Sequence, residues 1–190
     1  MRSRSPRGSL SALAEAPSSS SPSSSPASSR PVPASWSRRV AAGDFAGVLD
    51  EAERYGIEAC ARDCPVESLA ALADAARYLG KGDLARRVLL VERQRFPGSS
   101  PARAAAFLLA RLADEGGQGA RAARAAIDWY DHYLTESPDG VYAEEALGRK
   151  MLAIEKVPDH AGARRVAAEY VRRFPTGGYL PQAAALMKHP

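Results

Sequence analysis

The sequence has little of what marks an enzyme site or a β fold. Of its 190 residues only 7% are aromatic, three are His and two are Cys. Two thiols without neighbouring His do not make a structural zinc site, which generally needs four ligands. Val and Ile occur singly, and no run of four to eight residues alternates apolar with polar as a half-buried strand does. No stretch reaches the ~20 apolar residues that cross a bilayer, so no membrane span is expected in this chain. Arg2, Arg4 and Arg7 resemble the basic start of a signal peptide, but Gly8-Ser9-Leu10-Ser11-Ala12-Leu13-Ala14-Glu15 is not the apolar stretch that must follow. Gly116-Gly117-Gln118-Gly119 lacks the Lys-Ser/Thr of a phosphate loop and reads as a turn. Neither a cofactor nor catalysis is expected.

What is present favours helix. Ala accounts for 38 residues, 20% of the chain, and Arg outnumbers Lys by 22 to 4. Both rank near the top of the helix-propensity scale, and an all-α fold follows. The formal charge of +4 is unevenly spread: residues 1–35 hold fourteen Ser, six Pro and four Arg against one Glu, which leaves +1 for the remainder. Such a composition buries too little apolar surface to offset the entropy of ordering, so residues 1–35 are predicted to be a disordered tail or linker. Residues 36–190 then form one domain.

That domain repeats itself. Phe96-Pro97-Gly98-Ser99-Ser100, Ser137-Pro138-Asp139-Gly140 and Phe174-Pro175-Thr176-Gly177-Gly178 each have Ala eight residues after the Pro, at Ala105, Ala146 and Ala183, and twelve before it, at Ala85, Ala126 and Ala163. Gly43-Asp44-Phe45-Ala46 returns as Gly82-Asp83-Leu84-Ala85 and suggests a weaker unit upstream. Within a unit, Leu69, Leu72, Ala76 and Leu79 form one helical stripe and Leu84, Val88 and Val91 a second. Gly80-Lys81-Gly82 breaks the two apart, with Asp83 as the expected cap of the second helix. Equivalent pairs are predicted over 101–114 with 120–136 and over 142–155 with 162–174, closed by a helix over 179–187. Trp129, Tyr130, Phe107 and Phe96 supply the bulk. One such hairpin cannot bury its apolar face alone, so about four stack as a short α-solenoid.

The Gly-Asp-x-Ala pattern and the Arg-Phe-Pro-Gly-Ser phrase leading into Ala-rich helix resemble the tetratricopeptide-type repeats of bacterial envelope proteins. These include the outer-membrane assembly lipoproteins and the periplasmic cell-division coordinator. Trp36-Ser37-Arg38-Arg39, Gly43-Asp44-Phe45-Ala46 and Leu72-Ala73-Asp74-Ala75-Ala76-Arg77 resemble the C-terminal repeats of FecR-type sensors and anti-sigma regulators in myxobacteria and related high-GC bacteria. The units here run to 37–41 residues, against ~34 in the standard repeat. The resemblance implies a non-enzymatic protein-binding scaffold, the docking or sensing module of an envelope or transcription-regulatory system. As written the chain reads as cytoplasmic, and as periplasmic if it is the C-terminal part of a membrane-anchored regulator. A cytoplasmic adaptor or a nucleic-acid-binding solenoid is the alternative.

Candidate site residues are few. Arg77, Arg103, Arg111 and Arg149 fall on the first helices of the hairpins, whose concave surface would receive a protein or peptide segment. Cys60 and Cys64 either close a disulfide or sit as two small buried residues at a helix end. The second is favoured, because a bond between positions so close constrains only a short loop. Asp128 and His132 share a helical face without a third ligand, while His160 falls in a turn and His189 in the C-terminal tail. Arg pairs at 38–39, 86–87, 164–165 and 172–173 would suit a phosphate backbone, but the near-neutral charge of 36–190 argues against nucleic acid as the partner.

Overall fold

The computed structural model describes residues 36–188; the tail expected over 1–35 and His189 lie outside the described residues. Among the described residues there are ten helices and no strand: α1 (Trp36–Ala41), α2 (Phe45–Tyr55), α3 (Ile57–Asp63), α4 (Val66–Tyr78), α5 (Gly82–Arg95), α6 (Ser100–Gly116), α7 (Gly119–Glu136), α8 (Ala143–Glu155), α9 (His160–Arg173) and α10 (Leu180–Lys188). From α4 onward each helix packs on the next. In addition, α1 and α2 lie on α4, and α4 reaches α6. The hairpins α4–α5, α6–α7 and α8–α9 thus stack into an all-α solenoid, opened by α1–α3 and closed by α10.

Local chemistry sets most helix ends. Ser99 accepts the Ala102 N–H and starts α6; Asp44 and Asp159 accept the N–H groups of Gly47 and Gly162 and start α2 and α9. Such caps are worth about 1 kcal/mol each. Asp83 does not cap α5. Lys81 takes that position and Asp83 lies inside the first turn, where the positive helix end stabilises its charge.

The repeat register carries directly into burial. Ala85, Ala126 and Ala163 on the second helices and Ala105, Ala146 and Ala183 on the first are all fully buried. Alanine at these positions lets neighbouring helices approach closely, and larger side chains fill the space between. Phe107 stacks on Tyr142 with ring centroids 4.4 Å apart and meets Tyr133 at 5.7 Å. The upstream unit departs from this register. Ala46 is exposed where Ala85 is buried, and α2 buries Val48, Leu49 and Ala52 instead. The Gly-Asp-x-Ala match is therefore one of letters and not of position: Asp44 stands outside its helix and Asp83 inside. Gly56, at φ +100°, then breaks the chain into a third short helix, α3.

A second repeated device was not legible in the sequence. Seven residues after each buried Ala of the second helices come Glu92, Tyr133 and Tyr170, all buried. The hydroxyl of Tyr133 accepts the Tyr142 N–H at 2.9 Å, and that of Tyr170 accepts the Tyr179 N–H at 3.0 Å. Each tyrosine thereby ties the end of one hairpin to the residue just before the next helix. A Cβ at Gly140 would overlap the Tyr133 hydroxyl and one at Gly177 the Tyr170 hydroxyl, which is why glycine occupies both positions. Glu144 completes the second latch, accepting from the Tyr170 O–H at 3.0 Å and the Gly178 N–H at 2.8 Å. All three members change together in the preceding hairpin. Glu92 replaces Tyr, Ser99 replaces Gly, and Pro101, which has no N–H, stands where Tyr142 and Tyr179 donate.

The units also differ in length. Helix α7 has 18 residues against 14 in α5 and α9. Its four extra residues lie before Ala126, at the turn end, so the α6–α7 hairpin overhangs α4–α5 there by about one helical turn, ~5.4 Å.

Cys60 and Cys64 are joined by a disulfide, with Cα atoms 4.6 Å apart and both residues fully buried. The expectation of two separate buried thiols is therefore corrected. Pro65 holds Cys64 extended at ψ 145°, so α3 ends at Asp63 and the backbone beyond it is free to bring the second sulfur back. Replacing both cysteines with alanine should lower unfolding stability by about 2 kcal/mol, the entropy of so short a loop. Urea denaturation would check this, and an unchanged midpoint would mean that the bond constrains nothing of consequence.

Candidate interaction surface

The four arginines singled out on the first helices have different fates. Arg111 and Arg149 come together. Arg149 Nε meets Glu145 at 2.7 Å and its Nη1 lies 3.7–3.8 Å from Glu115 and Asp114, while Arg111 pairs with Glu115 and reaches Glu145 at 3.6 Å. Lys156 joins through Asp114 at 2.5 Å. This network links α6 to α8, so the two guanidinium groups are largely occupied within the chain. Beside it the buried Tyr130 hydroxyl has no hydrogen-bond partner among the described residues. Burial, reinforced by Asp114, pushes its pKa upward, so it remains a neutral phenol. Arg77 pairs with Asp74 on its own helix at 2.9 Å, and Arg103 donates to the Gly98 carbonyl.

The Arg pairs do not form a continuous basic ridge, because one member of most pairs is held internally. Arg39 bonds Glu51 and the Gly47 carbonyl, Arg87 bonds Glu58, and Arg173 bonds Glu169. Arg93 acts as a clamp between hairpins, meeting Glu136 through two nitrogens at 2.6 and 3.0 Å. Its hydrogen bonds hold the Glu136 carboxyl below the usual range. Among the described residues no group of three or more His, Cys, Asp or Glu is placed to hold a metal ion. His132 packs against Trp129 with ring centroids 5.2 Å apart, and His160 is the exposed first residue of α9.

A marked concavity lies at the turn edge, between the α4–α5 and α6–α7 hairpins. It has a volume of about 760 Å³, with Leu109, Leu112, Ala122 and Trp129 supplying apolar surface and Arg77, Arg86 and Arg121 on its rims. It lies in the step beneath the α6–α7 overhang. Trp129 belongs to this groove and is only partly buried, while the adjacent Tyr130 takes the fully buried position in the core. Of the four arginines expected to face a partner, Arg77 alone lines it. Arg86 was visible only as half of a pair, and Arg121 was not singled out. Gly82 and Gly116, glycines at helix ends, were the available signal for an open rim.

Among the described residues no helix is long and apolar enough to cross a membrane. Comparison with known proteins matched the chain to no protein-family model and to no curated protein.

Proposed function

We propose that this chain is a non-enzymatic scaffold of tetratricopeptide-like hairpins that docks a protein partner, as part of a bacterial envelope or transcription-regulatory system. The groove between the α4–α5 and α6–α7 hairpins carries the reading. It joins an apolar floor to charged rims on rigid helices, the combination by which helical scaffolds hold a linear or helical segment. The disulfide supports a place outside the cytoplasm, since such bonds persist in oxidising compartments and are rare where thiols are kept reduced. The resemblance to envelope repeats points the same way.

A photo-crosslinking amino acid in place of Ala125, an exposed residue lining the groove, tests the reading in extracts of the source organism. It should capture one discrete protein near stoichiometry. The same group in place of Ala168, exposed on α9 away from the groove, should not. Equal capture from both positions, or none from either, would overturn the proposal.

A further inference from the structure

We infer that the turn-edge groove receives a linear segment in which an apolar side chain is flanked by carboxylates. This rests on the scaffold reading above and names the chemistry of what the scaffold holds. It concerns the edge where the hairpins turn and not the face of the first helices, whose arginines are already paired.

Two independent observations support it. The first is charge. Arg86 and Arg121 are exposed on opposite walls of the groove, and neither forms a hydrogen bond or ion pair with any described residue. Their neighbours Arg77, Arg87 and Arg93 are all engaged. Arg121 also lies in the first turn of α7, a helix end that is already positive, so the helix gains nothing from it there. Two carboxylates share the lining, Asp83 and Glu115. Glu115 is taken up by Arg111 and Arg149, and Asp83 sits at the N-terminal end of α5, where the helix end offsets its charge. What remains available to an incoming chain is a pair of guanidinium groups on either side of an apolar floor.

The second observation is the bare backbone. Gly82 begins α5 and Gly116 ends α6, both on the groove lining. Neither has a positive φ, and a Cβ at either would meet nothing within 4 Å. The fold therefore has no need of glycine at these positions, and glycine is among the poorest helix formers. Its effect here is to leave one bare stretch of backbone on each wall, where another backbone can come close.

The occupant is a partner and not the chain's own N-terminal segment. Residues 1–35 carry four Arg and a single Glu, the wrong charge for these rims.

Fluorescence anisotropy with the full chain tests the inference. The probes are three short fluorescein-labelled peptides: one combining leucine and phenylalanine with aspartates, its counterpart with lysines in place of aspartates, and an aspartate peptide without apolar residues. The first should bind, more weakly as salt rises, and the other two should not. Charge reversal by Arg86→Glu with Arg121→Glu should weaken binding about tenfold, as expected for two solvent-exposed pairs. Gly116→Leu, which puts a side chain on one wall, should block it. Both changes are at exposed positions, and circular dichroism melts should be no lower than the parent's. The inference is overturned if the acidic-apolar probe does not bind, if either comparison peptide binds as well, or if the charge-reversed variant keeps its affinity. Self-association of the chain that Arg86→Glu with Arg121→Glu abolishes would also overturn it, in favour of a second copy. A partner captured at Ala125 and retained by the charge-reversed variant would defeat this inference and leave the scaffold reading intact.

Discussion

Replacing Gly177 with alanine lowers the free energy of unfolding by about 3–4 kcal/mol, the sum of an overpacked contact and the hydrogen bonds lost in relieving it. The cause is space and not backbone conformation, since Gly177 does not have a positive φ. The added methyl group overlaps the Tyr170 hydroxyl and comes within 2.9 Å of Glu144. To make room, the Tyr170 ring must withdraw from the Tyr179 N–H and from Glu144, and the tie between α9 and α10 is lost with it. Tyr170→Phe alone should cost about 1–2 kcal/mol, because it leaves the Tyr179 N–H without its acceptor. Since the hydroxyl is the nearest obstacle, Gly177→Ala with Tyr170→Phe should cost clearly less than the two single changes added together. Denaturant titrations of the four proteins measure this coupling. Strict additivity would show that the hydroxyl contact is not where the damage arises.

Glu92→Gln is expected to stabilise the protein at pH 8 by about 3 kcal/mol and to leave it little changed near pH 4. Glu92 is 1% exposed and its Oε2 has no hydrogen-bond partner among the described residues. Pro101, at the position where the other two latches supply an N–H, cannot give one. Burial, with a smaller contribution from Asp74, raises the Glu92 pKa from 4.5 to about 7. The folded state therefore holds this proton across a range in which the unfolded chain releases it. The stability contributed by this proton is fully present below about pH 4.5, declines as pH rises toward about 7, and is gone above that. The total loss is roughly 3 kcal/mol, since each pH unit separating the folded and unfolded values contributes about 1.4 kcal/mol. Glutamine carries no proton to lose. The difference in unfolding free energy between variant and parent, measured by urea denaturation from pH 4 to 8, should therefore grow with pH and then plateau. A difference that stays constant over that range would refute the account.

Glu92 also shows where sequence reading stopped. The helices and their stacking were legible because Ala recurs in the same place in the three hairpins from α4 onward, and these alanines are all buried. The latch was hidden because only two of three units keep it, and a Glu in an Arg-rich helix looks like a surface residue. The upstream unit was misjudged for the opposite reason. Gly-Asp-x-Ala is short enough to recur by local turn chemistry, and it landed one side of a helix start in α2 and the other side in α5. Arg77, Arg103, Arg111 and Arg149 share a place on the first helices, but that place does not make them free. Whether an arginine is free depends on which carboxylates the neighbouring hairpin brings to it, and Arg111 and Arg149 find theirs across α6 and α8. Arg86 and Arg121 stand out only once those pairings are known.

The additional turn on α7 has a consequence for how such arrays diversify. In a stack whose members touch only adjacent members, one hairpin can lengthen at its tip without disturbing the register of the rest. The buried column at Ala126 stays aligned with Ala85 and Ala163 while the tip rises clear of its neighbour. A recess is then created by inserting whole turns, and the residues that later confer selectivity need only decorate a step that length alone has made.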